Sequence, residues 1–311
     1  IAPRYLDNQV DCSLRNPNLA CLDIYYLHNP EAQLQKCSRS EFARRIEAAF
    51  TVLEEKVARG KIRRYGTATW NGYRQQPTAR DVLFLADLIE IAERVGGKEH
   101  HFKIVQLPYN LGMTEALTQK NQRVGSQTIS VLETAHEFGI TVMASASILQ
   151  GRLAQSLPTT VSDALSGLQS DAQRALQFTR STPGITTALV GMKSVAHVEH
   201  NLAVAKLPPA SLEQFQKLFR PQISESSGVG VGDRSEFRRS VNLLVRFARP
   251  TQNYFCLLIF QCCSFPCLET TSFAKRSIAF VILRSRNAWT LINRRWTPSS
   301  SYTARRSRPS R

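Results

Sequence analysis

Seven cysteines are present, yet no pair is spaced Cys-x-x-Cys, so a zinc ribbon or a thioredoxin-like redox site has no support. An odd cysteine count without a secretory signal peptide argues against a disulfide scaffold and fits a reducing, cytoplasmic setting. No metal site is expected. No run is long and apolar enough for a membrane span. Residues 250–268 carry no charge, but Pro250, Asn253, Gln261 and Pro266 interrupt them, whereas a span needs about 20 predominantly apolar residues. Acidic residues are scarce relative to basic ones, with 24 Asp+Glu against 40 Lys+Arg, a net charge of +16 and a pI near 9.9. The first residue is Ile rather than Met, which fits a processed or trimmed chain, or part of a longer reading frame.

What is present begins with 311 residues that are 42% hydrophobic, enough for a core and against wholesale disorder. The charge excess is uneven. Residues 221–311 hold 15 Lys+Arg and 4 Asp+Glu, a net of +11, and residues 1–220 have a net of +5. A boundary near residue 220 is therefore expected, with a basic tail of low order over 221–311. Cysteines divide similarly, with Cys12, Cys21 and Cys37 near the start and Cys256, Cys262, Cys263 and Cys267 in the tail. Residues 221–240 read as a linker, Ser277 to Leu283 as a short strand, and Pro298 to Arg311 as a Ser/Arg-rich run without an apolar face. Two readings of the tail compete: a segment not selected to fold, such as readthrough or frame-shifted translation, and a basic arm for nucleic acid or a membrane surface. Interleaved Cys, Phe and Trp suit a solvated arm poorly and favour the first.

From Leu22 to Leu207 short apolar runs alternate with amphipathic ones. Expected strands are Leu22–Leu27, Arg64–Trp70, Phe102–Leu107, Ile140–Ala146 and Ile185–Val190. Expected helices are Ser40–Arg59 with Ser40 as N-cap, Ala79–Val95, Thr128–Phe138, Asp171–Arg180 and Val195–Ala205. Phe42, Ile46, Ala49, Phe50, Leu53 and Val57 recur at helical spacing in the first helix, and Gly60 stops it. Five strand-then-helix units in succession argue for parallel strands joined by crossover helices. Unit spacing suits an α/β barrel or a doubly wound sheet. The glycine-rich first turn of a dinucleotide-binding Rossmann unit is absent, which counts against the second.

His28 directly follows the first apolar run, at the C-terminal end of an expected parallel strand, where barrel enzymes build their active sites. Asn29 and Pro30 then turn the chain. The run Leu22-Asp23-Ile24-Tyr25-Tyr26-Leu27-His28-Asn29-Pro30 resembles the fourth-strand signature of the aldo/keto reductase family, which ends in the active-site histidine. Leu53 to Arg63 is similar to the passage before the family's fifth strand, and Val105-Gln106-Leu107-Pro108-Tyr109-Asn110 to its sixth. Gly139 to Ala144 with Gly151-Arg152-Leu153 resembles strand seven and its loop. Gly191-Met192-Lys193-Ser194 with Glu199-His200-Asn201-Leu202 resembles the last cofactor loop and its helix. The resemblance runs over about residues 5–219.

It implies a partial (β/α)8 barrel of strands four to eight, and an NADPH-dependent carbonyl reductase or alcohol dehydrogenase acting on a small-molecule carbonyl or alcohol. In that family a tyrosine donates the proton, supported by a lysine paired with an aspartate, while the histidine orients the carbonyl. By resemblance, His28 is the catalytic histidine and Gln106 meets the nicotinamide carboxamide. Lys193 and Ser194 hold the adenosine 2′-phosphate at a helix start, and Glu199 and Asn201 read the adenine. The family's Ser-Asn pair after strand five is Ala68-Thr69 here, followed by Trp70-Asn71, so Thr69 and Asn71 are candidate substitutes. Ser145 stands where an aromatic ring stacks on the nicotinamide, leaving Trp70 as a candidate ring. His197 stands near the place of a basic residue in the last helix. Tyr25 and Tyr26 lie within a strand and are poor proton donors. The family's Asp, Tyr and Lys belong to units that precede Ile1.

The expected function is therefore aldo/keto reductase-type chemistry, with no turnover by these 311 residues alone. The rivals are a non-catalytic nucleotide- or nucleic-acid-binding protein using the basic tail, and a chain without a selected function. Nucleic acid and membrane are not expected partners, since the charge excess sits in the tail.

Overall fold

In the computed structural model, the described residues are 1–219, together with Leu258–Ile259 and Ala279–Phe280, which pair as two short antiparallel strands. The expectations of a low-order tail, of the uncharged stretch 250–268 and of a Ser/Arg-rich end otherwise lie outside the described residues.

The chain opens with α1 (Pro3–Arg15) and β1 (Leu22–His28), then α2 (Arg39–Ala58), β2 (Ile62–Ala68), α3 (Leu85–Gly96) and β3 (Phe102–Pro108). A short α4 (Glu115–Thr118) and the hairpin β4 (Gln122–Val124) and β5 (Gln127–Ile129) precede α5 (Val131–Glu137) and β6 (Thr141–Ser145). Next come α6 (Thr159–Ala164), α7 (Asp171–Ser181), β7 (Ile185–Ala188), α8 (Val195–Leu202) and α9 (Leu212–Lys217). Five strands form one parallel sheet in the order β1-β2-β3-β6-β7. Parallel neighbours require long crossovers, and helices supply them here. Among the described residues the sheet stays open, with β1 and β7 as its two edges. The fold is α/β, as the alternation predicts.

α2 buries Phe42, Ile46, Ala49, Phe50 and Leu53 on one face. Its N-cap is Ser38, whose hydroxyl accepts from the Glu41 N–H at 3.2 Å, and not Ser40. Two residues past the last helical position, Gly60 takes φ +69°, a left-handed turn that costs glycine nothing. α3 starts at Leu85, six residues later than expected, because the Arg39 guanidinium donates to the carbonyls of Ala79 and Val82 and the Leu83 N–H to Gly72 O. Those tertiary bonds hold residues 79–84 as a loop. The hairpin takes the residues expected to start the third helix, and that helix begins at Val131 behind a Ser130–Glu133 capping box.

One face of the sheet packs beneath the helices. There Phe50 meets Tyr65 and Phe102, each at a ring separation of 5.1 Å, in the offset and tilted geometries that aromatic rings prefer. Tyr109, Phe178 and Phe215 form a second stack at 5.5 and 5.4 Å. The other face carries a separate small cluster of Ile104, Met143 and Leu189, with Ile24 and Tyr26 against it. α1, which the sequence pattern does not announce, buries Leu6, Val10 and Leu14 and extends Asp7 and Asp11 to the buried Lys56 ammonium of α2 at 2.7 and 3.1 Å. Cys12, Cys21 and Cys37 are free thiols.

Candidate functional site at the strand ends

Parallel register aligns the C-terminal ends of the strands. His28 lies opposite Ala68, Ala68 opposite Gln106, and Gln106 opposite Met143. The ladder runs one residue further, since Asn29 N–H donates to Ala68 O at 2.7 Å and Thr69 N–H to Gln106 O at 2.9 Å. Side chains alternate between faces along a strand. Tyr26, which donates to Met143 Sδ at 3.2 Å, therefore marks the face of His28, and Ile104 marks that of Gln106. His28 and Gln106 share the face that carries no helix among the described residues, two strands apart, about 10 Å between backbones at the usual strand spacing.

The polar groups here differ in exposure. His28 is exposed and Trp70 is 41% exposed, whereas Thr69 and Gln106 are only 4% and 7% exposed. Thr69 Oγ1 and Gln106 Oε1 are both buried without a hydrogen-bond partner. Buried polar atoms are nearly always paired, so Gln106 Oε1, on the face of His28, marks a place where a ligand would complete the bonding, while Thr69, next after Ala68, alternates to the other face. Asn110, fully buried beyond β3, instead braces the loop: it donates to Ala146 O at 2.9 Å and accepts from Gly112 N–H at 2.9 Å.

One group was missed at the sequence level. Glu31, 4% exposed, accepts at Oε1 from the N–H groups of Trp70, Asn71 and Gly72 at 3.1, 3.2 and 3.3 Å. Burial pushes its carboxyl above the ordinary range, against the pull of those donors and its own N–H. The turn that delivers it is set by Asn29, in the left-handed region at φ 43°.

The second predicted group lies at the far edge. Beyond β7, Ser194 caps α8 by accepting from His197 N–H at 3.3 Å. Lys193, Ser194 and Glu199 are exposed, and Asn201 is 8% exposed. His28, Thr69, Asn71 and Gln106 thus gather at β1–β3, while Lys193, Ser194, Glu199 and Asn201 form a distinct group at β7 and α8. A cavity of about 580 Å³ elsewhere, lined by Arg39, Arg80, Phe84, Asp87 and Arg123, includes none of them. Two of its arginines are engaged with backbone carbonyls, Arg39 with Val82 and Arg80 with Leu34. The orphaned Gln106 Oε1 is the better guide to chemistry. Among the described residues, no His/Cys/Asp/Glu cluster could hold a metal and no helix is long and apolar enough to cross a membrane.

The sheet is parallel and covered by helices, and Gln106 Oε1 lies unsatisfied at the carboxyl end of its middle strand, the end at which α/β proteins commonly place their sites. A family model described as the aldo/keto reductase family matches residues 1–220, and the chain belongs to that family. No curated protein matches the sequence. Among solved structures, the chain is similar to an aldo-keto reductase from Bacillus halodurans in its holo form. The identity is 17% and the TM-score 0.49, over 70% of this chain and 64% of that one. It is also similar to an aldo-keto reductase from Klebsiella pneumoniae in complex with NADPH, at 21% identity and TM-score 0.47, over 71% of this chain and 67% of that one. A third is a 2,5-diketo-D-gluconic acid reductase B, so described provisionally, at 18% identity and TM-score 0.49, over 70% and 62%. The chain thus spans a little under two thirds of the first of these.

Proposed function

We propose that the chain forms the carbonyl- and cofactor-facing part of an NADPH-dependent carbonyl reductase or alcohol dehydrogenase. Its sheet would be strands four to eight of a partial (β/α)8 barrel. The observation that carries this reading is the orphaned Gln106 Oε1 at the C-terminal end of β3, on the face of His28. An amide-bearing ligand can satisfy it, because Oε1 accepts from an amide N–H. The nicotinamide carboxamide fits that requirement, and Asn71 beside Thr69 supplies a further polar side chain. Lys193, Ser194, Glu199 and Asn201 are the proposed adenosine-phosphate and adenine contacts, with α8 presenting its N-terminus to the phosphate.

When bound, the cofactor supplies the hydride. The chain's own residues do the rest of what is proposed. His28 donates a ring N–H to the carbonyl oxygen, orients it and supports the negative charge that develops there. Tyr26 is no proton donor to substrate, since its hydroxyl is directed to Met143 Sδ. Of the family's four catalytic groups the resemblance finds one within these 311 residues. The proposal is therefore binding without turnover by this chain, in a cytoplasmic setting.

The test is a fluorescence titration with NADPH, followed by nicotinamide absorbance with generic aldehydes. Saturable binding weakened by Lys193→Ala, and no aldehyde-dependent oxidation, is the expected result. Absence of binding refutes the reading, and turnover that His28→Ala abolishes refutes the inactivity.

A further inference from the structure

The segment carrying Thr69 and Asn71 is pinned from two sides. On the β3 side Thr69 N–H continues the ladder to Gln106 O at 2.9 Å. On the β1 side the three following N–H groups converge on a single oxygen of Glu31. Successive backbone N–H groups turned to one point form an anion-binding concavity, and hydrogen bonds to an ionised acceptor are roughly twice as strong as neutral ones. The fit around this anchor is close. A Cβ on Gly72 would come within 2.8 Å of the Leu83 side chain and 3.4 Å of Glu31 Cβ.

Stability alone accounts poorly for this carboxylate. Its second oxygen, Oε2, is buried without a partner, and a half-satisfied buried carboxylate is costlier than an apolar side chain of similar size. What Glu31 does achieve is geometric, because one side chain three residues past His28 dictates the path of the chain across the end of β2. We propose that Glu31 is a positioning residue that sets the Trp70–Gly72 segment, and with it Asn71, for the amide end of a nicotinamide. The proposal rests on the functional reading above and extends it to a carboxyl group whose hydrogen-bond donors are backbone N–H groups.

The experiment compares the 311-residue chain with its Glu31→Ala and Glu31→Gln variants in three measurements. Amide hydrogen exchange reports on residues 70–72. Fluorescence titration with NADPH reports on the whole cofactor. Competition by adenosine 2′,5′-bisphosphate reports on the Lys193–Ser194 end alone. In Glu31→Ala, exchange at residues 70–72 should accelerate at least about tenfold. NADPH affinity should fall on the order of tenfold, corresponding to one lost charged hydrogen bond or more. Adenosine bisphosphate affinity should stay within about twofold of the unaltered chain, well short of the tenfold step that one such bond represents. Glu31→Gln keeps an acceptor oxygen without the charge, so both responses should be intermediate, a partial rescue that simple packing damage would not give.

Unchanged NADPH affinity in the alanine variant overturns the proposal even if the loop loosens, as does an equal loss for both ligands. If the alanine variant fails to fold, the glutamine variant decides alone, and wild-type NADPH affinity there overturns the proposal. Failure of the unaltered chain to bind NADPH removes the functional reading and the ligand named here. Exchange that responds to neither substitution removes the anchoring alone.

Discussion

Gln106→Met should make the ligand-free chain more stable and cofactor binding weaker. Gln106 is 7% exposed in the middle strand of the sheet, and its Oε1 has no partner. A buried acceptor left without a bond costs about 1–3 kcal/mol. Methionine has nearly the same length and volume and brings no acceptor to bury, so the exchange removes that cost while packing changes little. The expected gain is about 1–2 kcal/mol of unfolding free energy, allowing for imperfect packing. It would appear as a higher urea midpoint at constant slope in circular dichroism. NADPH should lose one neutral hydrogen bond, about 0.5–1.5 kcal/mol, or roughly a 2- to 12-fold weaker dissociation constant by fluorescence titration. Thr69→Val, which removes a second buried orphan at equal shape, should raise the urea midpoint in the same way. A loss of stability above about 1 kcal/mol in Gln106→Met would mean that the carboxamide is already paired, and the site argument would fail. Unaltered NADPH affinity would equally refute it.

Replacing Asp7 and Asp11 together by Asn leaves the Lys56 ammonium, which is 1% exposed, with neutral partners on partly exposed side chains, and should cost about 1–3 kcal/mol in urea unfolding; a cost below about 0.5 kcal/mol would refute this accounting. The same cluster fixes a pH window. The Lys61 hydrogen bond, with help from Lys56, holds the Asp11 carboxyl below its ordinary value. Its contribution is therefore complete above the ordinary carboxylate range and lost as pH falls through the folded value. Gly66→Ala should cost more than about 3 kcal/mol, because a Cβ there would overlap the Ile104 carbonyl, and truncating the Ile104 side chain should not rescue a clash with backbone. Glu31 runs opposite to Asp11: its folded pKa is raised by burial, so its contribution is complete below the ordinary Glu value and lost as pH rises through the folded one. The urea stability of the unaltered chain relative to Glu31→Gln should accordingly decline as pH rises from about 4 to 8, and an increase would mean that the N–H donors outweigh burial.

The five strands were legible because parallel strands covered by helices read as near-continuous apolar runs, and β3 lies within one residue of its expected end. Helix starts were less legible. Ser38 and Ser40 are both plausible caps two residues apart, and Ser38 is the one whose hydroxyl accepts from a first-turn N–H, that of Glu41. Residues 79–84 look helical in isolation and are held otherwise by Arg39, forty residues back, a tertiary effect that local pattern does not carry. α1 escaped notice because its buried stripe is narrow, three apolar residues four apart among polar ones. Among the candidate site residues, His28 could be found from its place at a strand end, and Gln106 from the family resemblance alone. Glu31 could not, because its partners are backbone N–H groups distant in sequence, and such groups have no residue identity to read.

The strand order β1-β2-β3-β6-β7 means that every strand of the main sheet lies beside the next sheet strand along the chain. Synthesis from the N-terminus therefore presents each later strand of this sheet after its neighbour, and no pairing among the described strands of the sheet has to wait for a segment made later than the next sheet strand. Assembly can proceed by accretion, one strand and its crossover at a time. A nascent chain ending after β3 would already hold His28, Thr69 and Gln106 in paired register, before the Lys193–Ser194 end has been made.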